Sequence, residues 1–147
     1  MFRRLIQTEN DWGALFARLA LGVVMFPHGA QTLLGWWGGM GFSKTVGGFQ
    51  SHGMPAILAI LVIVAESFGS LGLILGFLSR VAGAGIGTVM VGAIFLGHLH
   101  NGFFMNWLGT KQGEGYEYHL LAIGLALVIL IKGRGALSVD RAISTRR

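Results

Sequence analysis

Four long apolar runs, separated by polar or glycine-rich segments, dominate the pattern along the chain. They cover about 13–36, 55–78, 80–104 and 116–132. Each is close to the ~20 residues that an α-helix needs to cross the hydrocarbon core of a bilayer. The pattern therefore predicts an all-α integral membrane protein, a four-helix bundle formed by one domain that covers residues 1–147.

The connection between the first two runs, 38–54, is rich in glycine and too long for a tight turn. Within it Phe42, Val46 and Phe49 recur at intervals of four and three residues, which is the spacing of one helix face. This spacing predicts a short amphipathic helix that lies in the membrane interface between helices one and two.

Basic residues are distributed unequally between the two sides that four crossings define. The side with both termini carries Arg3, Arg4, Arg80, Lys132, Arg134, Arg141, Arg146 and Arg147, and the other side carries Lys44 and Lys111. Because positively charged segments stay inside, we expect a multi-pass protein of the inner (plasma) membrane with both termini in the cytoplasm. The net charge of +5 thus reflects topology, and we expect the lipid bilayer, and no nucleic acid, as a partner.

Composition agrees with a membrane protein and limits its chemistry. Hydrophobic residues make up 53% of the chain and charged residues 12%, which is too little charge for a water-soluble surface. The absence of cysteine excludes disulfides, thiolate nucleophiles and cysteine-held iron–sulfur or zinc sites. If the protein handles electrons, a bound molecule or a partner protein must carry them.

A single carboxylate, Glu66, lies near the middle of the second apolar run. With a rise of about 1.5 Å per residue, Glu66 is about 16 Å from either end and near the midplane of a ~30 Å hydrocarbon core. Ionisable groups at that depth face the protein interior and mark functional sites or pair with an opposite charge. Val62, Gly69 and Ser70 share its helix face, and their small size favours an inward orientation.

Other polar side chains converge on the outer half of the predicted bundle. His28 lies about 24 Å, and His98 about 27 Å, from the inner ends of helices one and three. Glu117 and His119 begin helix four on the outside. The predicted site has Glu66 and His28 as catalytic groups, with Arg18, Gln31, His98, Glu117 and His119 as ligand-binding residues.

Arg18 and His28 also have structural interpretations. Arg18 lies about 9 Å from the inner surface, and its long side chain is able to reach up and neutralise Glu66. His28 follows Pro27 and can satisfy a backbone carbonyl that the proline frees.

The remaining candidates have equally simple alternatives. Glu117 and His119 are close to water and can be solvated residues at a helix start. His98 and His100 point about 200° apart on a helix, so they cannot both face one interior site unless the helix has ended.

Five histidines and two outer acids raise the question of a metal. The chain contains no His-x-x-x-His pair, no Glu-x-x-His pair and no cysteine ligand. We expect no metal site. Haem between His28 and His98 is the most concrete form that a redox metal would take.

Five segments in order carry a family resemblance. They are RLALGVVMFPHGAQTLLG from Arg18, VAESFGSLGLILGFLSR around Glu66, GHLHNGF, GYEYHLLAIGLALVIL and GRGALSVDR. Together they resemble the DoxX family of small membrane proteins over about residues 13–141. The resemblance implies a four-helix membrane fold, and relatives include the DoxD-type small subunit of thiosulfate:quinone oxidoreductase. Members often have lysine four residues after the histidine of the His-Gly motif, whereas this chain has Thr32.

Three functions are compatible with these observations. The first is a membrane-embedded subunit of a redox system that binds a quinone-like lipophilic molecule, with Glu66 and the outer histidines handling protons. Its electrons would come from a partner protein. The alternative is a non-catalytic membrane scaffold or assembly subunit for a partner oxidoreductase, in which Glu66 is structural. In either case we expect a partner protein or a homo-oligomer. The third is a small proton-coupled carrier built on the same acid.

Overall fold

The computed structural model describes residues 11–133 and 135–145, and within them the chain is helical and has no strand. The helices are α1 (Trp12–Leu34), α2 (Gly41–Ser51), α3 (Ala56–Leu75), α4 (Ser79–Asn101), α5 (Glu117–Lys132) and α6 (Val139–Thr145), with a 3₁₀ turn at Trp36–Gly38. The all-α prediction is confirmed for this part of the chain.

Three of the helices are long and apolar enough to cross a membrane. They are α1, α3 and α4, with 23, 20 and 23 residues. The fourth predicted span corresponds to α5, which has 16 residues and is therefore only about 24 Å long. The predicted helix after the first span is present as α2, although its position at a membrane interface remains a prediction.

Two of the long helices contain a π-helical segment. In α3 it covers Ala65–Gly69, and in α4 it covers Ile94–His98, after which a 3₁₀ turn at Leu99–Asn101 ends the helix. A π-helical turn interrupts the regular hydrogen-bond ladder and is often found at functional sites. The segment in α3 contains the central acid, Glu66.

Apolar side chains from α1, α3, α4 and α5 form one buried core. Its members are Ala17, Leu21, Met25, Leu73, Ile86, Met90, Ala122, Ala126 and Ile129. On α1 and α5 these residues recur every three or four positions, so each helix turns one face inward.

Large apolar side chains also cover the outside of the same four helices. Among them are Phe16, Ile57, Phe68, Phe95, Leu121 and Ile131, which are 60–74% exposed. An outer surface this apolar would associate in water but is stable where lipid is the solvent.

The two ends of the molecule are built differently. At the tail end, residues 135–145 fold back on the helices, and the backbone N–H of Ala136 donates to the carbonyl of Asp11 at 3.1 Å. Asp11 also begins α1, because its carboxylate accepts a hydrogen bond from the backbone N–H of Ala14 at 3.0 Å. That hydrogen bond and the nearby Lys132 ammonium, 3.5 Å away, lower the pKa of Asp11.

The opposite, aromatic end is formed by residues 36–54 and 102–116. Its exposed rings include Trp36, Trp37, Phe104 and Trp107. Arg3, Arg4, Arg134, Arg146 and Arg147, on which the predicted orientation partly depends, lie outside the described residues.

Candidate functional site

The π-helical segment of α3 packs closely against α1 at Gly29. A Cβ atom on Gly29 would lie 2.5 Å from Cα of Ser67 and 2.6 Å from the carbonyl oxygen of Glu66, so only glycine fits there. The Ser67 hydroxyl donates to the Gly29 carbonyl at 3.0 Å. The backbone on both sides of Glu66 is therefore fixed against α1.

The carboxyl group of Glu66 is half-buried, and its partner is Thr32. The Thr32 hydroxyl donates to Oε2 of Glu66 at 3.2 Å, and the same hydroxyl oxygen lies 3.1 Å from the His28 carbonyl. Threonine has one proton to donate. When Glu66 is ionised the threonine donates to the carboxylate, and when Glu66 is protonated the acid can donate to Thr32 while Thr32 donates to the helix carbonyl. The pair thus accommodates both protonation states.

A series of rings extends from His28, in the turn of α1 that holds Thr32, toward the aromatic end. The ring centroids of His28 and Tyr118 are 6.3 Å apart, those of Tyr118 and His119 are 5.5 Å apart, and those of His119 and His98 are 4.2 Å apart. The structure thus brings together four of the predicted residues, Glu66, His28, His98 and His119, and we call these with Thr32 and Tyr118 the polar cluster.

The two neighbouring histidines His119 and His98 differ in their hydrogen bonds. His119 is buried, at 6% exposure, and its Nδ1 has no hydrogen-bond partner within the described residues. Nδ1 of His98 lies 2.9 Å from the carbonyl oxygen of Glu114. Because a carbonyl only accepts, His98 carries its proton on Nδ1, and in the neutral ring Nε2 remains an acceptor. His100 is exposed in the 3₁₀ turn that ends α4, which agrees with the expectation that His98 and His100 do not both face one interior site.

Arg18 has partners other than Glu66. It is completely buried at the tail end, where Nη1 donates to the carbonyls of Leu73 and Ile74 at 2.7 and 2.9 Å. Nη2 donates to the carbonyls of Ala136 and Leu137 at 3.3 and 3.0 Å. The interpretation that Arg18 pairs with Glu66 does not hold in this structure, because the guanidinium instead binds carbonyls at the end of α3 and in the tail.

The surroundings of Arg18 explain how the tail is held. Gly76 ends α3 with φ +70°, and a Cβ there would collide with Ser138 and lie 2.6 Å from Nη1 of Arg18. Asp140 accepts hydrogen bonds from the backbone N–H groups of Leu78 and Ser79 at 3.1 and 3.4 Å, and its charge also acts on Arg18. This arrangement joins α1, α3, α4 and the tail.

Two further predicted residues lie apart from the polar cluster. Nε2 of Gln31 donates to the Trp37 carbonyl at 3.4 Å and so holds the 3₁₀ turn. Oε1 of Glu117 accepts from the backbone N–H of Met105 at 3.0 Å and from Nε1 of Trp107 at 3.1 Å. Glu117 is thus a bound residue rather than a simply solvated one, and it faces the loop instead of the histidines.

Tyr118 and Ser67 are not among the residues predicted from the sequence. Tyr118 precedes the inward positions Ala122 and Ala126 by four and eight residues, so helical periodicity alone places it on the buried face of α5. Its hydroxyl donates to the thioether of Met25 at 3.4 Å, a weak acceptor. The signal in the sequence that identifies Tyr118 is a polar ring at the start of the otherwise apolar buried face of α5.

Side chains that could hold a metal are not grouped in the described residues, where no three of His, Asp and Glu lie together. Within the same residues the His28 ring makes no hydrogen bond to the backbone, so the idea that it satisfies a carbonyl freed by Pro27 gains no support.

Comparison with known proteins agrees with the interpretation of the chain as a small, apolar, helical protein. The DoxX family model matches residues 13–99, and the chain belongs to the DoxX family. It is 27% identical over 138 residues to inner membrane protein YqjF of Escherichia coli (strain K12), covering 93% of this chain and 96% of that protein. Together with the three apolar helices, this family membership defines a membrane protein.

Two further relatives are similar to a comparable degree. Inner membrane protein YphA of Escherichia coli (strain K12) is 28% identical over 139 residues, which are 89% of this chain and 94% of that protein. The Bacillus subtilis (strain 168) protein named "Putative oxidoreductase CatD" is 28% identical over 117 residues, covering 80% of this chain and 78% of that protein. No solved structure matches the chain significantly.

Proposed function

We propose that the chain is a membrane-embedded subunit of a redox system that binds a quinone-like lipophilic ring beside the polar cluster. The observation that carries this proposal is the series of rings from His28 through Tyr118 to His119 and His98, beside the Thr32 hydroxyl that binds Glu66, in which buried Nδ1 of His119 has no partner within the described residues. A buried polar atom without a hydrogen bond is costly, and the carbonyl or hydroxyl of a bound ring would satisfy it.

The chemistry of a quinone suits such a series. Its reduction to the quinol consumes two electrons and two protons, and lipid keeps the surroundings dry. A carboxylic acid and an imidazole can supply and accept those protons, and the Thr32 hydroxyl stabilises Glu66 in either protonation state. The electrons are assigned to a partner protein, since the chain has no cysteine for a thiol or iron–sulfur couple. The name of the relative CatD, which contains the word oxidoreductase, supports a redox role.

The proposed setting is a single-domain four-helix membrane bundle in which α5 is a short fourth span and α2 lies in the interface. Both termini are placed in the cytoplasm by the excess of basic residues on their side, and the inner membrane is proposed because YqjF and YphA are inner membrane proteins. In this orientation the polar cluster lies in the outer half, with the aromatic end on the outside.

The test is ligand binding to the full-length protein in detergent. Lipid extracts of the purified protein are analysed for quinone by mass spectrometry, and thermal unfolding is measured with added decylubiquinone or menadione. Binding at a hundredfold excess over Kd would stabilise the fold by about 2.7 kcal/mol.

Two substitutions and a control locate the site. Glu66→Gln and His119→Phe preserve shape and should reduce or abolish the quinone-induced rise in Tm. Glu114→Gln, which changes an exposed acid of the 102–116 loop, should leave that rise intact. If no quinone copurifies and no added quinone changes the unfolding temperature, the proposal is refuted.

A scaffold for a partner oxidoreductase is the second candidate, and the tail end supplies its supporting observation. Leu137, Val139 and Ile143 are apolar but 74%, 42% and 48% exposed, on a short segment next to the buried Arg18. Such a patch is suited to docking a soluble partner. In that role Glu66 is structural, so Glu66→Gln should spoil folding or complex recovery together with activity. A folded, fully assembled Glu66→Gln complex that has lost activity would argue against the scaffold.

A further inference from the structure

A second site, which shares only Tyr118 with the polar cluster, lies at the start of α5. It is a groove of about 400 Å³ lined by Phe103, Met105, Trp107, Glu117, Tyr118, Leu120 and Leu121. One wall is the 103–107 segment and the other is the first turns of α5. The backbone N–H of Glu117 donates to the Phe103 carbonyl at 2.9 Å, which fixes the two walls against each other.

The Glu117 side chain strengthens this arrangement and gives the groove its charge. Oε1 accepts from the Met105 backbone and from the Trp107 indole, whereas Oε2 has no hydrogen bond within the described residues. No lysine or arginine lines the groove. A carboxylate in an otherwise apolar groove with aromatic rings favours an organic cation, because aromatic faces and an acid both attract positive charge.

The position of the groove indicates which cation it would bind. Trp107 is 83% exposed and belongs to the aromatic end, and tryptophan is typical of the level of lipid head groups. Below Glu117 on the same helix, Leu120 and Leu121 are exposed and continue the groove as an apolar wall. A lipid matches both the acidic part and the apolar part of this groove, with a cationic head group at Glu117 and an acyl chain along Leu120 and Leu121.

We propose that this groove binds the ammonium head group of an aminophospholipid. Glu117 neutralises the charge, Phe103, Trp107 and Tyr118 contact the head group, and Leu120 and Leu121 contact the chain. The site does not depend on a quinone or on Glu66, so its test and the test of the redox proposal can fail independently.

The experiment is native mass spectrometry of the full-length protein released from micelles that contain equal amounts of phosphatidylethanolamine and phosphatidylglycerol. The wild-type protein should retain the ethanolamine lipid preferentially. Glu117→Gln keeps the oxygen that accepts from Met105 and Trp107 but removes the charge, and it should reduce that preference about tenfold. Glu114→Gln is the matched control, because Glu114 is an acid of the same loop that does not line the groove.

Two further measurements keep the result interpretable. Thermal unfolding shows whether Glu117→Gln remains folded, and Trp107→Leu should weaken ethanolamine-lipid retention without a change in charge. Equal retention of the two lipids by the wild type, or an unchanged preference in Glu117→Gln, would overturn the proposal. Displacement of the lipid by millimolar ethanolamine alone would assign the site to a free cation and would also overturn it.

Discussion

Replacing Arg18 with methionine tests how the tail end is held together. Methionine has a similar length and is compatible with an apolar environment, but it removes all four hydrogen bonds that the guanidinium donates to carbonyls. Hydrogen bonds from a charged donor contribute about 1.5–3 kcal/mol each, and removal of one member of a buried charged network costs about 3–5 kcal/mol in total. We therefore expect Arg18→Met to lose about 3–5 kcal/mol, which corresponds to a fall in Tm of about 6–20 °C for a chain of this size.

Two assays on the detergent-purified protein separate this effect from general destabilisation. Thermal unfolding gives the loss of stability, and limited proteolysis at a temperature well below Tm reports whether residues 135–145 have detached. Arg80→Met is the matched control, because Arg80 lies near the same end but is only half-buried and donates to the exposed carbonyl of Ile131. If Arg18→Met and Arg80→Met unfold at the same temperature and both keep a protected tail, the reasoning about Arg18 is wrong.

Three further substitutions probe the rest of the structure by thermal unfolding. Thr32→Val removes the hydroxyl that binds Glu66 and should cost about 1 kcal/mol, whereas an unchanged Tm would mean that the hydrogen bond has no net value. Gly29→Ala should destabilise strongly, because the added Cβ would collide with the backbone of α3. The control Gly124→Ala should be neutral or stabilising, because a Cβ at that position has no neighbouring atom within 4 Å. Equal changes in Tm for the two variants would contradict the close contact at Gly29. Asp11→Asn should destabilise at neutral pH, since an acid with a lowered pKa stabilises the fold above its ordinary pKa. The difference from wild type should begin to shrink as the pH falls below about 4 and should disappear as the pH falls through the lowered pKa; a difference that does not change with pH would exclude a charge effect.

The helices were predictable because the period and length of apolar runs carry that information locally. The predicted runs correspond to α1, α3, α4 and α5 to within a few residues, and the predicted helix of Phe42, Val46 and Phe49 corresponds to α2. The π-helical segments were not predictable in this way. A π turn shifts the side-chain direction without any change in composition, and it depends on packing against neighbouring helices such as α1 at Gly29.

The partners within the polar cluster were not predictable from the sequence. Counting residues along a helix predicts the depth of each residue, yet it gives no direction around the helix axis. Arg18 is an example, because a side chain of its length can extend toward either end of the helix. It binds carbonyls of the tail, more than a hundred residues away in sequence, and this contact cannot be read from the helix itself.

Arg18 and the polar cluster differ in the number of hydrogen bonds that their side chains make, and this difference favours placing the function toward the aromatic end. At the tail end Arg18 makes four hydrogen bonds to carbonyls and Asp140 accepts from the start of α4, while Nε of Arg18 and the buried Ser79 hydroxyl have no partner within the described residues. Toward the aromatic end, by contrast, buried Nδ1 of His119 makes no hydrogen bond within the described residues, and Glu66 shares a single threonine proton with a backbone carbonyl. A side chain that is held by several hydrogen bonds resists change in protonation or ligation, whereas one with few can accept either a proton or a ligand. The structure of Arg18 therefore makes the tail end a support, and the open positions of the polar cluster are where binding and proton transfer have room to occur.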